Sequence, residues 1–306
     1  MIYFLYGPDT FRLIKKLNEI KEQYALQHGS FLVVKRVDLQ EESEGACWDF
    51  LNQANLFVSQ KLLIIENSFF SQSFKKEILK NITSLSQGQD ILVFLEYKDI
   101  KSNDPFFLAL KEKGKAQLFT SLSGVKLKNW VQDCFKQLDS YINEEAQKKL
   151  LEYTNSQTWA LSNEIRKLSA FSSSITSKEI ELLVRPKPEA EIFKTIDSFF
   201  ANSKKAALKE LQKHLDIGES PFYLLSMLSY QIRNLLVVKI ATERQDLTFQ
   251  ELGIHPFVFK KLTALSRSFS LVKLKGIFQN IFWTELQIKT GQNSPENALR
   301  QLLVMV

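Results

Sequence analysis

The first third of the chain alternates between short runs of apolar residues and longer segments in which apolar residues recur every three or four positions. Short apolar runs predict buried strands, and the longer periodic segments predict amphipathic helices. Strands separated by helices indicate right-handed crossovers, so residues 1–123 are expected to form an α/β domain with a largely parallel sheet. The predicted strands are Ile2–Tyr6, Phe31–Leu39, Lys61–Glu66, Asp90–Tyr97 and Ala116–Leu122, and the predicted helices are Thr10–Gln27, Glu44–Ala54 and Ser73–Leu85.

The pattern becomes helical after Gly124. Thr176 with Glu179 three positions later has the form of a capping box, which predicts the start of a short helix. Pro186 and Pro188 stand close together and are expected to stop helices and stiffen a linker. We therefore expect a small helical domain over residues 124–186. Its longer predicted helices are Val125–Leu138, Asn143–Tyr153 and Thr158–Phe171.

The last part of the chain, residues 187–306, has helical periodicity and no convincing strand pattern. Ser220 and Ser294 each precede a proline, an arrangement typical of a capping serine before proline at the first helical position. We expect an all-helical bundle. The predicted helices are Ala190–Ala201, Ser203–Leu215, Ser220–Glu243, Thr248–Leu252, Pro256–Ser266, Leu271–Ile288 and Ser294–Val304.

The composition is that of an ordinary globular protein, with 306 residues of which 44% are hydrophobic and 24% charged. Cys47 and Cys134 are too few for a disulfide scaffold, and both are expected to be packed in helices. The sequence has no CxxC pair, and its three histidines are widely separated. We therefore expect no metal site.

No stretch approaches the roughly 18 uncharged apolar residues that a transmembrane helix needs. The N-terminal residues also lack the basic region and the cleavage site of a signal peptide. These two features predict a cytoplasmic protein that does not enter a membrane.

The positive charge is concentrated in the last third of the chain. Residues 1–122 carry 15 basic and 15 acidic side chains, whereas residues 186–306 carry 16 basic and 11 acidic ones, out of a total net charge of +6. A mildly basic solvated surface and a surface that faces phosphates both account for this excess. Charge alone leaves the two interpretations open.

The opening strand, glycine and helix have the order found in P-loop proteins, but the functional positions differ. A P-loop has the pattern GxxxxGK[ST], in which Lys binds the terminal phosphates and Ser or Thr holds Mg²⁺. Counted from Gly7, these three positions are Arg12, Leu13 and Ile14. The residues predict a P-loop-type fold without functional Walker motifs, and no cofactor.

Candidate catalytic residues are equally scarce elsewhere in the sequence. Glu66 and Glu96 each end an apolar strand without a second acidic residue, and we expect them to mark surface turns. The patterns GxSxG and HExxH are absent. We therefore expect no catalytic site.

The segment Asn55-Leu56-Phe57-Val58, with three consecutive apolar residues, stands between a predicted helix and a predicted strand. They could pack the helix onto the sheet. If they are exposed, they would form an apolar wedge that suits a pocket on a protein partner. The pattern does not decide between the two.

Taken together, these segments resemble the delta subunit family of the bacterial DNA polymerase III clamp loader. The resemblance runs from end to end, and it rests on the order and spacing of several segments. They are IYFLYGPDTFRLIKKLNEI (2–20), QANLFVSQKLLIIEN (53–67), TWALSNEIRKLSAF (158–171), the segment 190–239, GIHPFVFKKLTALSRSFS (253–270) and the final EL-x-IKTG (285–291).

The resemblance implies an architecture of the AAA+ type, with an α/β domain, a helical lid and a helical collar that mediates oligomerisation. It implies a subunit that binds the sliding clamp (beta) and opens it without hydrolysing ATP, in a polymerase holoenzyme whose nucleotidyltransferase activity belongs to the complex. Leu56 and Phe57 match the clamp-binding pair of the family. The implied partners are the sliding clamp, the gamma/tau and delta prime subunits in a pentameric ring, and primer–template DNA.

The basic residues of the collar are the candidates for contact with DNA phosphates in such a ring. They are spread over the collar, and the sequence does not show which of them face DNA. They are Lys204, Lys205, Lys260, Lys261, Arg267, Lys273 and Lys275.

Three alternatives stay open at this stage. The first is an active, ATP-hydrolysing P-loop subunit of the loader, against which Arg12, Leu13 and Ile14 argue. The second is the inactive delta prime subunit, which usually carries zinc-binding cysteines that this sequence lacks. The third is a general helical nucleic-acid-binding protein with an unrelated α/β domain.

Overall fold

The computed structural model describes residues 1–53, 60–100, 102–186, 204–216, 218–244, 252, 254 and 256–305. The chain divides into two compact units, Met1–Leu122 and Ser123–Val306. The division of the second unit into a lid and a collar at residue 186 stays a prediction, because residues 187–203 lie outside the described part.

The first unit contains a five-stranded parallel sheet with the strand order β2-β3-β4-β1-β5. This confirms the predicted parallel α/β sheet. Its strands are β1 (Ile2–Tyr6), β2 (Leu32–Asp38), β3 (Gln60–Glu66), β4 (Ile91–Glu96) and β5 (Lys115–Leu118), and its helices are α1 (Thr10–His28), α2 (Gly45–Asn52), α3 (Gln72–Gln87) and α4 (Pro105–Lys113).

Both faces of this sheet are buried because successive strand residues point to opposite faces. One face packs on α1, with Leu5 of β1 against Leu13 and Leu17. The other face, which includes Phe4 and Phe94, packs on α2, α3 and α4. Helices on both faces explain why β3 and β4 are continuous apolar runs.

Helix α4 was not predicted, although the sequence contains its start signal. The Asp104 Oδ1 accepts a hydrogen bond from the Phe106 amide at 2.8 Å, and Pro105 occupies the first helical position. Nine residues give only two and a half turns, too few for a clear period. Strand β5 is also shorter than predicted.

The first part of the second unit is helical, but it also contains two short strands that were not predicted. β6 (Tyr141–Ile142) and β7 (Ser174–Ile175) form a parallel pair. Two-residue strands leave no periodic pattern in a sequence, so the expectation of helices alone was wrong. The helices are α5 (Gly124–Lys136), α6 (Glu144–Tyr153), α7 (Thr158–Phe171) and α8 (Ser177–Leu183).

The capping box that starts α8 is confirmed. The Glu179 carboxylate accepts a hydrogen bond from the Thr176 amide at 2.7 Å, and the Thr176 hydroxyl in turn accepts one from a backbone amide of the first turn. Hydrogen bonds from the Thr176 side chain and amide lower the pKa of Glu179.

The rest of the second unit is helical in its described residues. α10 packs against α11, α12 and α13, and α9 packs against α13. Their apolar residues form one core that includes Leu224, Leu235 and Leu299. The helices are α9 (Lys204–Asp216), α10 (Pro221–Arg244), α11 (Pro256–Ser266), α12 (Leu271–Lys289) and α13 (Pro295–Met305).

The predicted starts at Pro221 and Pro295 are confirmed. The predicted helix Ala190–Ala201 lies outside the described residues, as does Thr248–Leu252 apart from its last residue.

Helix α10 is long and apolar enough, by length and composition, to cross a membrane, although charged residues such as Arg233 and Lys239 interrupt it. It is the one such helix among the described residues, and we had expected none. Half of its apolar stretch is buried inside the structure. Central helices of packed bundles have this same composition.

Candidate functional site

The turn after β1 lies where a P-loop would hold phosphate. Gly7 has a φ of 127°, and its amide donates to the Glu96 carbonyl at 2.9 Å. A Cβ at this position would lie 2.4 Å from the carbonyl oxygen of Phe119. The close approach of the chain after β5 therefore requires glycine at position 7. This requirement explains the glycine without a bound phosphate.

The N-terminus of α1 already holds an anion from its own chain. The Asp9 Oδ1 accepts from the Arg12 amide at 3.2 Å, and the Arg12 Nη1 lies 3.3 Å from the Asp9 Oδ2. The same Nη1 donates to the Thr120 carbonyl at 3.1 Å, and the guanidinium lies over the Phe119 ring. A helix N-terminus attracts anions, and here the buried Asp9 carboxylate takes that place.

The two remaining P-loop positions serve the core. Leu13 is fully buried against the sheet, and Ile14 is half-buried beside it. Neither side chain has a polar atom to bind phosphate or magnesium. Their burial explains why α1 has apolar residues at positions where a P-loop has lysine and serine or threonine.

Glu96 is buried, so the expectation of a surface turn was wrong. Its side chain is 1% exposed, and its Oε1 accepts from the Ser68 hydroxyl at 2.9 Å and from the Phe69 amide at 3.2 Å. Burial raises the pKa of Glu96, and these hydrogen bonds oppose that shift. The carboxylate thus joins β4 to the loop that follows β3.

Glu66 was also expected to mark a surface turn, and this expectation was wrong. Its side chain is 4% exposed and pairs with the Arg36 guanidinium of β2. Burial, with the nearby Glu66, raises the pKa of Tyr97 to about 12. The next residue, Asn67, donates its side-chain amide to the Asp38 Oδ1 at 2.8 Å. The strand-end acids are therefore used in structural contacts between neighbouring loops.

Among the described residues, no group of three or more His, Cys, Asp or Glu side chains is arranged to hold a metal ion. Cys47 is buried as predicted, and burial raises the pKa of its thiol to about 11. Cys134 is half-buried. In the last turn of α9, the buried His214 ring lies 3.0 Å from the Glu219 carboxylate.

Leu56 and Phe57 lie outside the described residues, but the chain on both sides of them is described. Helix α2 ends at Asn52, and β3 begins at Gln60. The Lys61 ammonium donates to the carbonyls of Leu51 and Gln53, each at 2.7 Å. The choice between a packing role and an exposed wedge for Leu56 and Phe57 stays a prediction.

The seven basic collar residues divide into two groups along the chain. Lys204 and Lys205 begin α9, and the Lys204 ammonium donates to the Val304 carbonyl near the C-terminal end of α13. The other five lie on α11, on α12 and at the turn between them, and all but the half-buried Lys261 are exposed. They are Lys260, Lys261, Arg267, Lys273 and Lys275.

The helix geometry separates these side chains further. Lys273 and Lys275 are two positions apart on α12, and therefore point about 200° apart around its axis. The Lys273 ammonium lies over the Phe269 ring, 5.5 Å from its centre. The structure thus does not direct all seven side chains to one face.

An exposed apolar stripe on α12 was missed by the sequence reasoning. The Phe282 and Trp283 side chains are each 57% exposed, with their rings 5.5 Å apart. Phe278 and Leu286 extend the stripe at helical spacing. The sequence contained a signal for this stripe. Leu274, Ile277 and Ile281 already form a complete buried face of α12 at helical spacing, so the remaining apolar residues must lie on another face.

Two family models match the chain. The model of the DNA polymerase III delta subunit matches residues 3–119. A second model, which describes the C-terminal domain of the delta subunit, matches residues 189–306. Together they span well over half of the chain.

A curated relative and a solved structure agree with these matches. The chain is 22% identical over 326 aligned positions to DNA polymerase III subunit delta of Bacillus subtilis, covering 100% of this chain and 92% of that protein. The solved structure of the Bacillus subtilis DNA clamp loader delta protein superimposes with a TM-score of 0.82 at 22% identity, covering 99% of this chain and 94% of that one.

Both matched models describe the delta subunit. The match therefore argues against two of the alternative assignments, the delta prime subunit and an unrelated nucleic-acid-binding protein. The full-length match to the relative agrees with this assignment. The chain therefore belongs to the DNA polymerase III delta subunit family.

Proposed function

We propose that this chain binds the sliding clamp and opens it, so that the clamp loader can place the clamp on primed DNA, and that it does so without hydrolysing ATP. The observation that carries the proposal is the delta-family match over an α/β domain whose P-loop position is closed by the Asp9–Arg12 pair. In this role the chain acts in the cytoplasm as a subunit of the polymerase holoenzyme. The nucleotidyltransferase activity belongs to other subunits.

The absence of ATP hydrolysis is supported by the residues at the start of α1. An active P-loop presents an ammonium to the terminal phosphates, and this chain has the buried Leu13 at that position. A phosphate at the helix N-terminus would also lie against the Asp9 carboxylate. Like charges at such short distance repel strongly. An ATP-hydrolysing loader subunit is therefore the weaker proposal.

Clamp binding is assigned to Leu56 and Phe57, because they match the family's clamp-binding pair. Full burial of each side chain in an apolar pocket would contribute about 2–3 kcal/mol, from which the ordering costs of binding are subtracted. The chain can open the clamp only by binding its open form more tightly than its closed form. Its effect on the clamp is thus a shift of population.

The second unit is proposed to join the other loader subunits, gamma/tau and delta prime, in a pentameric ring. The apolar stripe of α12 supports this, since exposed aromatic residues at helical spacing are typical of a protein interface. Helix α10, which packs against α11, α12 and α13, gives that surface a rigid support.

Contact with primer–template DNA is assigned to the basic collar residues. Of the two groups, the five residues of α11, α12 and the turn between them have the larger exposed charge, whereas Lys204 already donates to the Val304 carbonyl. Lysine and arginine contacts with phosphates give a binding term that is independent of sequence and sensitive to salt.

The test of the proposed function is a titration of the full chain against the sliding clamp of the same organism, with and without Leu56→Ala and Phe57→Ala combined. The proposal predicts that the double substitution weakens clamp binding while the chain stays folded. The same affinity for both proteins would contradict it.

A further inference from the structure

Lys61 connects the two flanks of the segment that contains Leu56 and Phe57. It is the second residue of β3, and its ammonium donates to the Leu51 and Gln53 carbonyls at the end of α2, each at 2.7 Å. Gln53 is the last described residue before the segment, and Gln60 is the first one after it. A single side chain therefore joins the chain before the segment to the chain after it.

Helix α2 depends on such contacts because it is short. It has eight residues, of which Cys47 and Phe50 are buried, and isolated helices of this length are unstable in water. Its last carbonyls have no partners within the helix. The Lys61 ammonium satisfies two carbonyls at this end and places a positive charge at the negative end of the helix dipole.

The ammonium also lies 5.9 Å from the centre of the Phe50 ring. Since Phe50 is the buried aromatic anchor of α2, this contact holds Lys61 at the helix end. Lys61 is itself half-buried, and its hydrogen bond to the Leu51 carbonyl is part-buried, so that bond is less exposed to competition from water than one made by a surface lysine. Its hydrogen bond to the Gln53 carbonyl is exposed.

We propose that Lys61 is a positioning residue for clamp binding: it fixes the end of α2, from which the chain continues towards Leu56 and Phe57. This inference rests on the proposed function of Leu56 and Phe57. A binding segment whose two flanks are already joined loses less conformational freedom when it binds. Lys61 would thus raise clamp affinity without touching the clamp.

Lys35 provides a matched control in the same unit. Its ammonium also lies 5.9 Å from the Phe50 ring centre, and it also donates to a carbonyl of α2, that of Ala46 at 2.9 Å. Ala46 lies in the first turn of α2, away from the segment. Loss of Lys35 therefore removes a similar contact without releasing the end of the helix that precedes Leu56.

The experiment compares the clamp affinities of full chains carrying Lys61→Met, Lys61→Arg or Lys35→Met, beside the unaltered chain and the Leu56→Ala and Phe57→Ala double variant. Methionine keeps the apolar stem and removes the donor. We expect Lys61→Met to weaken clamp binding roughly tenfold, since hydrogen bonds to charged groups are the stronger ones. Lys35→Met should change it less than twofold, and Lys61→Arg should restore most of the affinity.

The thermal unfolding midpoint of each variant separates positioning from general destabilisation. The inference requires that Lys61→Met and Lys35→Met lower the midpoint similarly while only the former weakens clamp binding. Equal affinities for these two variants would overturn it. If Lys61→Met does not fold, the milder Lys61→Gln is compared with Lys35→Gln under the same criterion.

The double variant distinguishes this inference from the proposed function. If the double variant binds the clamp normally, the assignment of Leu56 and Phe57 fails. If the double variant loses binding and Lys61→Met does not, only the positioning role of Lys61 fails.

Discussion

Asp9 and Arg12 bind each other at the N-terminus of α1, with the Arg12 Nη1 3.3 Å from the Asp9 Oδ2 and the Arg12 amide 3.2 Å from the Oδ1. The pair occupies the place where a P-loop protein binds the phosphates of a nucleotide. The chain thus has a strand, a turn and a helix in the order found in P-loop proteins, with its own Asp9 carboxylate at the helix N-terminus.

This relationship predicts that the isolated chain does not bind Mg-ATP. Phosphate at the helix N-terminus would meet the Asp9 carboxylate, and Leu13 offers no ammonium. We expect no heat of binding in a calorimetric titration with Mg-ATP and no rise in the unfolding midpoint, because a ligand that binds only the folded state would raise that midpoint. Saturable binding at micromolar Mg-ATP would show that the site is open.

Gly7→Ala is predicted to destabilise the first unit strongly. The residue has a φ of 127°, and an added Cβ would lie 2.4 Å from the Phe119 carbonyl oxygen. We expect a loss of about 3 kcal/mol or more in the free energy of unfolding, from backbone strain and the steric clash together. Urea denaturation measures it.

Gly45→Ala is the control for this substitution, because its Cβ would meet only the Ser43 hydroxyl at an ordinary 3.6 Å at the start of α2. Alanine favours helix over glycine, so stability should stay the same or rise. A similar loss in both variants would mean that the Phe119 contact is not the cause.

The buried Glu96 is predicted to make the stability of the first unit decrease as the pH rises. Burial raises its pKa in the folded chain above the ordinary 4.5. From about pH 4.5 upwards the unfolded chain therefore releases its proton more readily than the folded chain, and the free energy of unfolding falls until the folded pKa is passed. Glu96→Gln, which keeps the acceptor Oε1, should remove this decrease.

The measurement is the difference in unfolding free energy between Glu96→Gln and the unaltered chain, at pH values on either side of the folded pKa. That difference should move in favour of Glu96→Gln as the pH rises. Glu96→Ala is the control, because it leaves the Ser68 hydroxyl and the Phe69 amide without their acceptor. Relative to Glu96→Gln, it should be less stable by about 1–3 kcal/mol at every pH, because neither variant titrates at this position. A pH-independent difference between Glu96→Gln and the unaltered chain would contradict the prediction.

In the collar, the basic residues of α11 and α12 are predicted to carry the salt-sensitive part of DNA binding. Neutralising Lys260, Lys273 and Lys275 in the assembled loader should weaken binding to primed DNA and reduce its dependence on salt, by roughly one unit of slope for each lost phosphate contact. Neutralising Lys204 and Lys205 should have the smaller effect, since Lys204 donates to Val304 within the bundle. The reverse order would assign DNA contact to α9.

Features set by local sequence could be predicted. The capping box of Thr176 and Glu179 and the serine–proline start at Pro221 are determined by residues within one helical turn. The apolar strands were found for the same reason, because a sheet buried on both faces requires continuous apolar runs.

Features that depend on distant residues could not be predicted. β6 and β7 pair residues such as Ile142 and Ile175 that are far apart in the sequence. Glu96 is buried because the loop after β3 brings the Ser68 hydroxyl to it.

The role of Lys61 at the end of α2 was hidden for the same reason, since in KLLIIE it has the pattern of an ordinary strand-initiating lysine. The delta-family model of residues 3–119 covers Lys61 and Glu96, whereas β6 and β7 lie between the two matched ranges.

The most direct test of the proposed function is the equilibrium affinity of the full chain for the sliding clamp, before and after Leu56→Ala and Phe57→Ala are combined. Phe70→Ala is a suitable control, because Phe70 is also in the first unit, follows β3, and is 67% exposed. We predict that the double variant binds at least about a hundredfold more weakly with an unchanged unfolding midpoint, and that Phe70→Ala binds normally. Clamp affinity equal to that of the unaltered chain in the double variant would contradict the account.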